Sequence, residues 1–304
     1  MRVSVVCLVG VVCCLLHLWV STPAKSQKVS QPPARFQPGG VISALNKPGV
    51  HNTLTDISPD GTVLYITYSA PDFRSTVLAS SRLVGGNWSV AQPVSFSDQK
   101  SDLGASINPS QDRMFFTSQR PVPGKQNSDP WNLWVTRWKA NAWQDPKPVA
   151  KPVNTDQLEC CVSAKVAGKL YFSSNREGSW DIFCAELKGD SVVQVVKVAG
   201  ELNTRFDEWP SYVDPQERFM LLSSTRPGGA GGDDLYIAVR ENGAWSAARN
   251  LGPRVNSPGF EDGASLSPDQ KTLYYSSRSA QSLSQIYQIR VAELPGEFSS
   301  ILAD

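Results

Sequence analysis

The sequence predicts an all-β chain folded as one β-propeller, most simply five blades of four short antiparallel strands. Three observations carry that expectation. A paired-strand segment recurs five times at near-constant spacing, a tight turn splits each pair, and no amphipathic helix of useful length interrupts the series. The segments read HNTLTDISPDGTVLYITYS, DLGASINPSQDRMFFTS, ECCVSAKVAGKLYFSS, EWPSYVDPQERFMLLSS and EDGASLSPDQKTLYYSS. They close on Ser69, Ser118, Ser174, Ser224 and Ser277, at intervals of 49, 56, 50 and 53 residues.

Along the chain, Arg2 precedes an apolar run from Val3 to Val20, and Ala24-Lys25-Ser26 supplies a small-x-small pattern. A signal peptide over 1–26 is expected, with a retained signal anchor as the alternative, and the protein is expected to be periplasmic or secreted. Residues 27–40 (QKVSQPPARFQPGG) have little to bury and read as a flexible lead-in. The propeller is expected over 41–296 and a C-terminal tail over 297–304. Within each unit the inner strand ends in a turn such as Ser58-Pro59-Asp60-Gly61, where Pro presets φ and Gly permits a positive one. The second strand (LYIT, MFFT, LYFSS, MLLSS, LYYSS) is aromatic and apolar, suited to a sandwiched position. A Gly-rich loop follows, clearest over 226–234, then a third strand at Asp181-Ile-Phe, Asp234-Leu-Tyr and Gln285-Ile-Tyr. A fourth begins near Trp88, Trp143 and Trp245. The last unit has no Trp-led fourth strand, and Val41 to Asn46 matches the strand ends Val153-Asn154, Leu202-Asn203 and Val255-Asn256. The N-terminal strand is therefore expected to complete the last blade and remove an open edge.

The recurring pattern VN(S/T)…E…SPDG…LYFSS.R.GG.G..D(I/L)Y resembles the WD40-like repeat of TolB-like periplasmic propellers. The resemblance spans residues 41 to about 294, strongest in the fourth and fifth repeats and weaker in the first, which lacks the Arg, and in the second, where Pro-Val-Pro-Gly replaces the Gly-rich loop. It implies a propeller fold and a periplasmic setting. Six blades, the number in that family, would need a further unit. It implies little about activity, because propellers host many functions.

Composition narrows the function classes. Charges nearly cancel, at 29 basic against 28 acidic residues, so the chain has no electrostatic footprint for nucleic acid or an anionic membrane. Beyond the signal segment there is one histidine, His51: a Ser-His-Asp triad would have to use it and no GxSxG elbow is present, while a His-based zinc site is excluded by count. Cys160, Cys161 and Cys184 are open to a disulfide plus a spare thiol, or to burial as small apolar side chains.

Two constellations remain. At the starts of the inner strands stand Asn52, Asp102, Glu159, Asp207 or Glu208, and Glu261, and Arg120, Arg176, Arg226 and Arg278 end the neighbouring second strands. Antiparallel pairing brings both sets to one mouth of the channel. If each acid has its own Arg, the ring locks blade to blade. If the acids converge without Arg, the ring suits a cation, Ca²⁺ by charge and ligand type; no metal or other cofactor is otherwise indicated. Trp131, Trp180 and Trp209 are expected at the same mouth, either packed between blades or exposed for stacking on a ligand. The functional expectation is an exported, non-catalytic binding or scaffold module that docks a protein, peptide or cell-envelope glycan on the mouth face. The alternative is a carbohydrate-active hydrolase or lyase using mouth carboxylates.

Overall fold

The computed structural model describes residues 39–97, 101–123 and 131–303. The signal segment and residues 27–38 of the lead-in lie outside the described residues. The architecture is a five-blade propeller of antiparallel sheets. Inner strands are His51–Ile57, Asp102–Ile107, Glu159–Ser163, Glu208–Val213 and Phe260–Leu266. Second strands are Val63–Ser69, Arg113–Ser118, Lys169–Ser174, Phe219–Ser224 and Thr272–Arg278. Third strands are Thr76–Val84, Asn132–Lys139, Asp181–Lys188, Asp234–Glu241 and Gln285–Arg290.

The outer position differs between blades. In blades one, two and four it is split into two short pieces, the first holding Trp88, Trp143 or Trp245. In blade three it is one continuous strand, Ser191–Lys197. In blade five it is Gly40–Val41, paired antiparallel with the third strand as Gly40 to Gln288 and Val41 to Tyr287.

The expected turns form for the expected reasons. Ser58 Oγ donates to the Asp60 carboxylate at 2.5 Å and accepts the Val63 N–H at 2.9 Å, while Gly61 takes φ of +72°. The recurring Val-Asn or Leu-Asn pair also acquires a cause. Asn46, Asn154, Asn203 and Asn256 each accept from, and donate to, the backbone of one third-strand residue: Ile286, Leu133, Ile182 and Leu235. One amide side chain thus occupies a place in the ladder that a backbone would otherwise fill.

The core is divided among the seams between blades. Phe116 and Trp134 of blade two pack with Tyr65 and Leu78 of blade one, and Phe172 and Phe183 pack with Phe115 and Leu133 across the next seam. Tyr171 and Ile182 meet Met220 and Leu222, and Phe219 and Leu235 meet Leu273 and Tyr275. Ile42, Leu45, Leu54 and Leu64 meet Tyr274 and Ile286 at the seam between blades five and one. An element absent from the sequence reading is the helix Gly296–Ala303, which begins on the last residue of the expected propeller and runs through the region expected as a tail. Phe298 and Leu302 lie four residues apart on one face and are buried in the core between blades four and five. Eight residues give too short a period to stand out in a sequence.

Every inner strand carries a β-bulge near its middle. Gly104, Cys161 and Gly263 take φ of +62°, +54° and +57° there. The strand ends far from the mouth are held by a polar cluster around Asp56. Its carboxylate accepts the Ile107 N–H at 2.8 Å and the hydroxyls of Ser106 at 3.2 Å and Ser265 at 3.3 Å. Lys165 pairs with it at 2.8 Å and also donates to the Ile57 carbonyl at 2.6 Å. One side chain of blade one thus touches blades two, three and five.

Candidate functional site

The mouth is built at the start of each inner strand, opposite the serine that closes the second strand. Register places Asp102 across from Ser118, Glu159 from Ser174, Glu208 from Ser224 and Glu261 from Ser277. In blade one the same position belongs to His51, paired with Ser69, rather than to the expected Asn52. The one-residue difference matters because neighbouring side chains on a strand leave from opposite faces. Asn52 turns instead into its own approach loop, donating to the carbonyls of Lys47, Val50 and Ser284 and accepting the Lys47 N–H at 2.8 Å. Of the Asp207 and Glu208 pair, Glu208 is the ring acid; Asp207 caps the neighbouring blade by accepting the Trp180 N–H at 3.1 Å.

The four acids are fully buried. Asp102 holds Arg120 in a two-point contact, 3.1 Å to Nε and 2.6 Å to Nη2, and accepts the Ser118 hydroxyl at 2.6 Å. Glu159 meets Arg176 at 3.4 Å and accepts from the backbone and hydroxyl of Thr155. Glu208 meets Arg226 at 3.2 Å and accepts the same two groups from Thr204. The arginines reach back to loop carbonyls as well, of Phe96, Val153 and Leu202. Burial pushes the Glu159 and Glu208 carboxyls above their usual range, against the pull of the threonine bonds and the arginines. In these three blades acid and arginine tie one blade's mouth loop to its own inner strand, a structural arrangement.

Blade five departs from this. Arg120, Arg176 and Arg226 stand two residues after their closing serines, but Arg278 stands one residue after Ser277. Strand alternation therefore sends Arg278 to the other face. Its guanidinium stacks on Phe260 at 3.9 Å and makes no ion pair with Glu261, which is left with the Ser257 N–H and hydroxyl and the Ser277 hydroxyl. Burial then raises Glu261 to about 7. Arg278 instead lines an open groove of about 840 Å³ on the mouth face between blades five and one. Lys47 shares this groove, hydroxyls and amides of Ser279, Ser282 and Gln281 line it too, and no Asp or Glu does. His51, stacked on Phe73 at 4.1 Å, is held down at about 4 by burial and by Arg278.

The three expected tryptophans do come together, but inward. Trp131, Trp180 and Trp209 are buried in one cluster with Leu103 and Cys160, so they pack the mouth end of the ring and present no stacking surface. Cys161 and Cys184 are free thiols, and Cys160 is buried. The channel itself narrows to a cavity of about 50 Å³ lined by inner-strand residues of all five blades, among them Thr53, Gly104, Cys161, Trp209 and Asp262. Asp262, partly exposed to the channel, is raised to about 8 by desolvation, with Asp233 and Glu261 adding to the shift and Arg278 opposing it. Among the described residues no three His, Cys, Asp or Glu side chains gather in a way that could hold a metal ion. No helix among the described residues is long and apolar enough to cross a membrane.

No protein-family model matches the sequence, and no curated protein matches it. Among solved structures the chain is similar to TolB from Acinetobacter baumannii, at 14% identity and a TM-score of 0.44, covering 77% of this chain and 53% of that one. The chain thus spans about half the length of that TolB. It is similar to a TolB candidate from Agrobacterium tumefaciens at 13% identity and a TM-score of 0.49, covering 81% and 79% of the two chains. A glycosyl hydrolase from Bacteroides ovatus stands at the same distance, with 11% identity, a TM-score of 0.49, and coverage of 84% and 95%. Each of these likenesses is one of fold alone.

Proposed function

We propose that the chain is an exported, non-catalytic binding module whose working surface is the mouth-face groove between blades five and one, taking a protein, peptide or glycan that carries a carboxylate. The observation that carries this reading is Arg278. It is the one blade-ending arginine released from its ring acid, and it lines an open groove with Lys47 and no acidic side chain. A guanidinium offers a planar two-point match to a carboxylate, and a half-buried one gives more than a solvated one. The carbohydrate-active alternative needs two carboxylates around a space that admits a sugar. Glu261 is fully buried, and Asp262 faces a cavity of about 50 Å³. That volume holds only a few water molecules, at about 10–15 Å³ each.

A thermal-shift panel of acidic and neutral peptides and oligosaccharides tests the proposal. A carboxylated ligand should raise the melting temperature, since binding only to the folded state stabilises it by mass action. Arg278→Ala should cancel that shift while leaving the ligand-free melting temperature within about 2 °C, as expected for a residue outside any buried pair. Arg226→Ala is the contrasting control: it strands the buried Glu208 and should cost about 3–5 kcal/mol. A shift that survives Arg278→Ala, or turnover of a glycan, would overturn the assignment.

A further inference from the structure

We propose that the groove between blades one and two, on the face opposite the mouth, binds a neutral sugar chain of β-1,4-linked glucose type by stacking it on Trp138. The groove holds about 660 Å³, within the usual range of ligand clefts, and opens between the turn 58–62 of blade one and the outer end of blade two. Trp138 is 40% exposed, the one large aromatic side chain left so open among the described residues. It pairs with Trp143 across the ladder, and the two rings meet edge to face at 5.1 Å and 69°. Such a pair makes a corner rather than a closed stack, so an indole face stays open to the groove.

The repeat supplies its own comparison. The seam between blades five and one carries a groove of nearly the same size, about 610 Å³, built on Trp88 as this one is built on Trp143. There Leu83 stands opposite the recurring tryptophan, where blade two has Trp138. Gly61 and Gly86 take the places of Gln111 and Asn141. Folding a blade therefore requires neither an indole nor two amides at these positions, yet one groove gathers all three.

The side chains around Trp138 select the occupant. Asp60 and Arg82 are the only charged residues lining the groove, one of each sign, which suits a neutral ligand. The side chains of Arg82, Gln111 and Asn141 make no hydrogen bond among the described residues. Guanidinium and amides offer donors, and the amides offer acceptors as well, a match for neighbouring hydroxyls. A β-1,4-linked glucose or N-acetylglucosamine unit presents a flat face of axial C–H bonds ringed by equatorial hydroxyls. The indole takes the first and the polar rim takes the second. A proline-rich peptide would stack on the ring but, offering carbonyls alone, would leave the rim's acceptors unused.

Isothermal titration calorimetry of the protein expressed from its full sequence, with cellohexaose and chitohexaose as probes, tests the proposal. At least one should bind with a Kd below about 1 mM. Trp138→Ala, a change at an exposed side chain, should weaken that binding at least about tenfold, while Leu83→Ala in the sister groove leaves it unchanged. The double variant Gln111→Gly with Asn141→Gly copies the sister groove and keeps Trp138, so it reads the rim independently; affinity should fall about three- to tenfold. Arg278→Ala should leave sugar binding intact, which separates this site from the mouth groove. Failure of both sugars to bind overturns the proposal, as does binding that survives Trp138→Ala or is lost with Arg278→Ala. A decaproline peptide that binds where both sugars fail assigns the groove to a peptide and overturns it too.

Discussion

At Asp262 a carboxyl is placed where charge is expensive, and this gives the protein a measurable pH signature. Its folded value is about 8 against an ordinary 3.8, so between those values the folded chain holds a proton that the unfolded chain has released. Stability then falls as pH rises through that window and levels off above it. Glu261, at about 7, acts in the same direction over a narrower range. His51, held at about 4 against 6.5, acts oppositely, losing stability as pH falls through its own window. Asp262→Asn removes one contribution cleanly. Its melting temperature relative to the parent should increase steadily between pH 5 and pH 8, read by differential scanning calorimetry at fixed ionic strength. A difference independent of pH would mean that Asp262 is ionised in the folded state. Much of the residue scale was legible in the sequence: the acids, the arginines and the tryptophans all gather at one mouth. What was not legible is the one-residue offset. His51 for Asn52, and Arg278 one place after its serine rather than two, change which face each side chain leaves by, and period-two alternation turns that into a different role.

At the element scale, the repeated strands, turns and closing asparagines follow from local chemistry and were readable. The bulges were not, because an inserted residue leaves no signal unless it is Gly, and the bulges of blades one, three and four contain none. The two glycine bulges allow a controlled comparison. Gly104 and Gly263 share nearly the same backbone, φ of +62° and +57°. A Cβ on Gly104 would meet only the Thr117 hydroxyl at 3.8 Å, whereas one on Gly263 would lie 2.1 Å from the Leu54 carbonyl oxygen across the seam to blade one. Gly104→Ala should therefore cost only the conformational penalty, about 1–2 kcal/mol. Gly263→Ala should cost more, because backbone of another blade must move. Urea denaturation of both variants decides the point; equal costs would show that the seam between blades five and one yields readily. The helix Gly296–Ala303 belongs to the same lesson: its docking is set by the groove between two blades, not by its own short sequence.

On the scale of the whole molecule, stability lies in five seams arranged in a circle, so no blade has a core of its own. Blades should unfold together. The cluster around Asp56 makes that cooperativity testable. Lys165→Ala leaves the Asp56 carboxylate buried and uncompensated, at a cost of about 3–5 kcal/mol. Because Asp56 also holds blades two and five, calorimetry should show one sharp transition at a lower temperature, not an early melting of blade three alone.

The same cluster has a further meaning. Lys165 of blade three meets Asp56 of blade one at 2.8 Å, so the pair spans two blade positions of the ring. A ring enlarged by a sixth unit would draw the two apart and leave both charges stranded. The polar stopper is thus a gauge of blade number. A chain of this kind can lengthen its loops freely, but it can gain another repeat only by first losing its plug.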